Sequence, residues 1–158
     1  MVKIIEARGV PVICMKNDTR AGYVGDALYD SKDNVAGFIV DGAPGFGRKY
    51  IRLEDILKLD KTSCVIYDEN SLNKYARSGA LKKNGFYESV IGKNVLSEGG
   101  QSMGVVSDCM FDMESGIIEE IELSRGFMED IVEGRNSINL KDGVEFGEEF
   151  IIARGNKE

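Results

Sequence analysis

Apolar residues come in short runs along this chain, separated by clusters of turn-forming residues. In the first half, residues 11–15 form an apolar run and residues 17–22 a turn cluster. Val24, Asp26, Leu28 and Asp30 then alternate with Tyr23, Gly25, Ala27 and Tyr29, the period of a strand with a polar edge. Residues 38–40 end at the turn dipeptide Asp41-Gly42, residues 50–53 alternate cleanly, and residues 65–67 close the unit. The second half reads the same way, with strands predicted over 93–97, 104–112, 117–123, 137–140 and 150–153 and a turn at 98–101. Five or six short strands in about 65 residues predict a small barrel, because closure removes the edges that so small an open sheet exposes.

The two halves are related. Gly22, Val24, Asp26 and Asp30 recur as Gly104, Val106, Asp108 and Asp112, 82 residues on, and the turn that follows each hands over to Val35 or Ile117. A second block recurs 87 residues on: Gly47, Arg48, Ile51, Leu53 and Asp55 match Gly134, Arg135, Ile138, Leu140 and Asp142. Over residues 22–39 and 47–59, 10 of 31 aligned positions are identical, against roughly two by chance at ordinary composition. The change of offset implies a five-residue insertion in the second copy, within 123–134. The fold expected is therefore all-β: two tandem small barrels from an internal duplication, a first over 1–70, a partly helical linker over 71–88 and a second over 89–158. Residues 72–76 are expected to supply the linker's helix, with breaks at Ser78-Gly79 and Asn84-Gly85.

Composition narrows the chemistry. The 158 residues include no histidine, which removes the commonest general base and metal ligand. Cys14, Cys64 and Cys109 form no CxxC pair and sit among apolar residues, as buried reduced thiols do. The net charge of −7 opposes phosphate-backbone binding, so no direct nucleic-acid contact is expected. No apolar stretch is long enough to span a membrane as a helix, and the N-terminus lacks a long apolar leader and cleavage site; a cytoplasmic location is expected. Charge is divided unevenly. Residues 1–79 hold 12 Lys and Arg against 11 Asp and Glu, and residues 80–158 hold 8 against 16, so the second half carries all the excess acidity. That is either a solvated face or a field that steers a basic partner.

Several constellations invite a chemical reading. Asp26 with Asp30, and Asp108 with Asp112, are spaced to share a strand face and to hold a hard cation or do acid–base work, but their recurrence favours hydrogen bonding within turns. The glycine-rich residues 42–48 match no phosphate-binding spacing and precede a strand, so a hairpin loop is expected. Arg48 and Arg135 suit internal bridges to carboxylates, or an exposed partner contact. In the insertion, Arg125, Phe127, Met128, Glu129, Asp130 and Ile131 combine apolar and charged groups. They suit either one helical turn packed on the barrel or a contact for a partner or second subunit.

The pattern G-x-V-x-D-x-L-x-D, a turn, and a β-branched run resembles the PRC-barrel family. The match is best in the second copy, where residues 90–95 resemble the opening strand and residues 99–108 the first hairpin. The resemblance implies the fold of the reaction-centre H subunit's cytoplasmic domain and of a ribosome-maturation factor's C-terminal domain, both docking modules. The chain looks most like small stand-alone bacterial members whose roles are poorly defined. The expectation is thus a non-catalytic binding or adaptor protein with no cofactor and no metal. It would dock on a protein partner, a basic one by charge complementarity, through the acidic second barrel or the inter-barrel surface, with a homodimer as a further arrangement. The alternative is a ribosome-associated assembly factor acting through a basic ribosomal protein.

Overall fold

The structure is a computed structural model that describes residues 1–75, 87–88, 90–124, 136–140, 143–147 and 149–153. It is mostly β. The elements are β1 (Val2–Lys3), a one-turn helix α1 (Ile4–Ala7), β2 (Pro11–Cys14), β3 (Thr19–Tyr29), β4 (Val35–Asp41), β5 (Lys49–Arg52), β6 (Ile56–Leu59), β7 (Cys64–Ile66), β8 (Asn73–Lys74), β9 (Tyr87–Glu88), β10 (Asn94–Ser97), β11 (Ser102–Phe111), β12 (Ile118–Ser124), β13 (Asn136–Asn139), β14 (Val144–Phe146) and β15 (Phe150–Ala153).

Two sheets result. The first runs β6-β7-β2-β3-β4-β5-β8 with β9 added on β3; the second runs β13-β12-β11-β10-β15-β14 with β1 added on β11. Each path is open. β5 and β6 lie well apart in their path and are joined in the chain by the 3-10 turn Leu53–Asp55.

Equivalent pairings recur between the sheets. Val12 pairs Cys64 in parallel, as Val95 pairs Ile151. Val24 pairs Val40, as Val106 pairs Leu123. Phe38 pairs Ile51, as Ile121 pairs Ile138. Leu59 pairs Cys64, as Phe146 pairs Ile151.

These registers correct three local expectations. The insertion is divided, with one extra residue already in the turn before β12. Tyr29 pairs Val35 whereas Phe111 pairs Ile118, so Val35 corresponds to Ile118 and not to Ile117. The first turn closes from Asp30 to Asn34 and the second from Asp112 to Ile117, with Gly116 at φ 78 absorbing the extra residue. Second, the strict alternation along 23–30 is broken by a bulge between Val24 and Ala27. Val24, Ala27 and Tyr29 face the main core while Leu28 packs with Ile39, Tyr50 and Tyr75 in a separate cluster. Third, the linker helix expected at 72–76 is instead a 3-10 turn, Glu69–Ser71, followed by β8. Asp68 accepts the Asn70 N–H at 2.9 Å and so starts the turn, and pairing with β5 then holds the chain extended.

One apolar cluster joins the sheets. It includes Val12, Phe38, Ile51 and Ile66 from the first and Val95, Phe111, Ile121 and Ile151 from the second. The leading strands are exchanged: Val2 pairs Phe111 of the second sheet, and Tyr87, which precedes the second sheet, pairs Tyr29 of the first. A backbone bond from the Val35 N–H to the Gly116 carbonyl, 2.7 Å, adds a direct link. The rings of Phe38 and Phe111, both fully buried, meet across the seam with centroids 6.1 Å apart.

Candidate interaction surface

The seam is where equivalent residues have diverged. Asp108 Oδ1 accepts the N–H of Ile5 in α1 at 3.0 Å and that of Cys109 at 2.8 Å. Among the described residues it is the one buried charged side chain, 5% exposed. Burial pushes its carboxyl pKa above the ordinary value, against the pull of the two backbone donors. Nearby, Lys3 Nζ lies 3.0 Å from Glu122 Oε2, which raises the lysine's pKa. Asp26, the counterpart of Asp108, remains at the surface and pairs with Arg8 at 3.0 Å. One repeated aspartate thus anchors the N-terminal segment to the second sheet, and the other holds a surface ion pair of modest worth.

The outer members of the two aspartate pairs behave alike. Asp30 Oδ1 accepts the N–H groups of Lys32 and Asn34, at 2.8 and 3.0 Å. Asp112 Oδ1 accepts those of Glu114 and Ser115, at 2.7 and 3.2 Å. Both shape the turn that follows, which is the hydrogen-bonding role their recurrence suggests. Among the described residues no group of three Cys, Asp or Glu side chains is placed to hold a metal ion.

Arg48 has an internal contact, but with an aromatic ring in place of the carboxylate expected: its guanidinium stands 5.7 Å from the centroid of Tyr75. Arg135 lies outside the described residues. Residues 42–48 form a loop leading into β5, with Gly42, Gly45 and Gly47 at φ 71, 93 and 85. All three cysteines are buried and free. Burial pushes the Cys64 and Cys109 thiols up to about 12 and raises that of Cys14, so none is poised as a thiolate nucleophile.

Four acids of the second half lie on β12 or just before it, Glu114, Glu119, Glu120 and Glu122, and Glu145 lies on β14. Glu114, Glu119 and Glu145 are exposed, while Glu120 and Glu122 are half-buried. β12 turns Ile118, Ile121 and Leu123 into the core, so its remaining positions are free for charge. The sequence-predicted contact residues Arg125, Phe127, Met128, Glu129, Asp130 and Ile131 lie outside the described residues, in the segment between β12 and β13. Sequence reasoning missed Asp108 as an anchor of α1. Its local context, between Ser107 and Cys109 in an alternating run, places it on a polar edge and gives no sign of burial.

Residues 83–158 match the PRC-barrel domain family. Over 154 residues the chain is 27% identical to the uncharacterized protein YrrD of Bacillus subtilis (strain 168), covering 95% of this chain and 86% of that relative. The similarity therefore extends through both halves, whereas the family match falls on the second.

Proposed function

We propose that this is a non-catalytic docking protein, built from two diverged PRC-type barrels over 1–70 and 89–158 and a linker over 71–88, that presents the acidic face of its second barrel to a basic protein partner. The observation that carries this reading is the charge division on a common core. The second half holds all the excess acidity, and exposed Glu119 with half-buried Glu120 and Glu122 stands on β12, which turns Ile118, Ile121 and Leu123 into the core shared with the first sheet. A rigid acidic face steers cationic surfaces and fixes their register without large reorganisation. Capture from native lysate with immobilised full-length chain tests the proposal. A basic protein should be retained at low salt and released at high salt, and Glu114→Lys with Glu119→Lys should abolish its retention while leaving the melting temperature near that of wild type. Retention of the same proteins by the charge-reversed variant would contradict the reading.

The same face suits the alternative role, a ribosome-associated assembly factor acting through a basic ribosomal protein. Comigration with ribosomal particles in a sucrose gradient, lost in the charge-reversed variant, favours it; absence from those fractions sinks it.

A further inference from the structure

The most exposed large apolar residue in the described structure lies far from the acidic strand in sequence. Phe46 is 97% exposed, in the loop between β4 and β5. Gly45 and Gly47 flank it at φ 93 and 85, a left-handed backbone that other residues rarely adopt. The loop is held in place from within: Lys49 Nζ donates to the Pro44 carbonyl at 3.0 Å. Water gains nothing from a fully projecting phenyl ring, and nothing in the loop's own packing uses it.

Cations surround this loop. Lys49 and Lys74 are direct partners across the β5–β8 ladder, so two like charges face each other where pairing normally disfavours them. Arg48 precedes Lys49 and stacks on Tyr75. On the adjoining strand Arg20 lies over Tyr23, 5.2 Å from the ring centroid, and Tyr23 packs beside Gly42 at the start of the loop. Tyr23 is itself 40% exposed. Asp41, paired with Tyr23, is the exposed acid at the loop's base. Locally, positive charge exceeds negative in a protein whose net charge is −7.

We propose that this loop is a membrane-surface contact: Phe46 inserts into the interface of an anionic phospholipid bilayer while Arg20, Arg48, Lys49 and Lys74 face the headgroups. Charge complementarity selects an anionic surface. Shape selects a bilayer over a folded acidic protein, because the ring stands on a narrow tip flanked by glycines. A protein hot spot needs a surrounding packed rim, and a specific interface needs a broad one. A single aromatic with a few cations gives weak, reversible attachment, each lysine or arginine near the surface adding about fivefold to binding. This contact is independent of the acidic face and lies on the other sheet.

Co-sedimentation of the full chain with vesicles tests it. Wild type should sediment with phosphatidylcholine–phosphatidylglycerol vesicles, not with phosphatidylcholine alone, and be released by salt. Phe46→Ala should weaken partitioning about tenfold or more, as loss of a buried phenyl group does. It should leave the melting temperature unchanged, since the ring packs on nothing. Lys49→Glu with Lys74→Glu should weaken partitioning more than about twentyfold. Failure of wild type to sediment with the anionic vesicles, or equal binding by Phe46→Ala, overturns the proposal. So does a dimer in sedimentation velocity that Phe46→Ala dissolves without lipid, which assigns the loop to a second copy. Retention on polyglutamate that needs Phe46, without vesicle binding, overturns it in favour of an acidic protein.

Discussion

Phe38 and Phe111 stand on different sheets, yet their rings meet at 6.1 Å between centroids and an interplanar angle of 48°, both fully buried. Both belong to the one apolar cluster that joins the sheets. Truncating either leaves a cavity that two rigid ladders cannot close. Phe111→Ala should therefore destabilise the protein by about 3–5 kcal/mol. Chemical denaturation followed by tyrosine fluorescence or circular dichroism measures this. A cost near that of an exposed substitution would show that the seam is loose.

Gly116 tests the direct backbone link. Its φ is 78, and a Cβ there would collide with the Val35 carbonyl oxygen and lie 3.3 Å from Leu53 Cδ2. Gly100 is the control, with φ 88 and open space where a Cβ would stand. Gly100→Ala should cost only left-handed strain, about 1–2 kcal/mol. Gly116→Ala should cost clearly more and lower the melting temperature further. Equal costs for the two variants would remove the steric account of the seam.

The strand-rich fold and the turn role of Asp30 and Asp112 were legible in the sequence, because each rests on local spacing. What was not legible depends on register or on distant partners. A bulge is one residue that changes which face every later side chain takes, and nothing local to residues 23–30 announces it. The divided insertion was hidden because Ile117 and Ile118 serve equally well in an alignment by type. The exchange of β1 and β9 between sheets pairs residues about 109 and 58 positions apart, and two-residue strands carry no periodicity of their own. Asp108 and Asp26 look alike in sequence and differ because α1 packs over only one of them. Of the surfaces, the acidic excess was readable by counting. The six residues singled out between 125 and 131 lie outside what the structure describes.

Asp108 gives the fold a pH dependence. Its folded-state pKa is raised by burial above the ordinary aspartate value of about 3.9. The folded state therefore holds its proton to higher pH than the unfolded state does. Across the interval from the ordinary pKa to the raised one, this residue's contribution to stability falls as pH rises. Asp108→Asn retains an oxygen acceptor for Ile5 and Cys109 without the buried charge. Its stability relative to wild type should thus improve from acid to neutral pH. Asp108→Ala leaves both backbone donors unmatched and should cost about 1–3 kcal/mol. Parallel denaturation curves at several pH values check both, and a difference between wild type and Asp108→Asn that does not vary with pH would refute the assignment.

The cysteines should be silent in the native protein. With Cys64 and Cys109 pushed up to about 12 by burial and Cys14 also raised, a thiol reagent such as Ellman's should label the native chain slowly at neutral pH. All three thiols should react promptly in denaturant. Rapid native labelling at any of them would mean that the core opens more readily than its packing indicates.

The two sheets share one core, which should hold the acidic face and the basic aromatic loop in fixed relation. Scanning calorimetry of the full chain tests it most directly. A single transition whose calorimetric and van't Hoff enthalpies agree is expected, with Phe38→Ala and Phe111→Ala each lowering that one transition as a whole. Two separate transitions, with each substitution shifting only the one belonging to its own sheet, would contradict it.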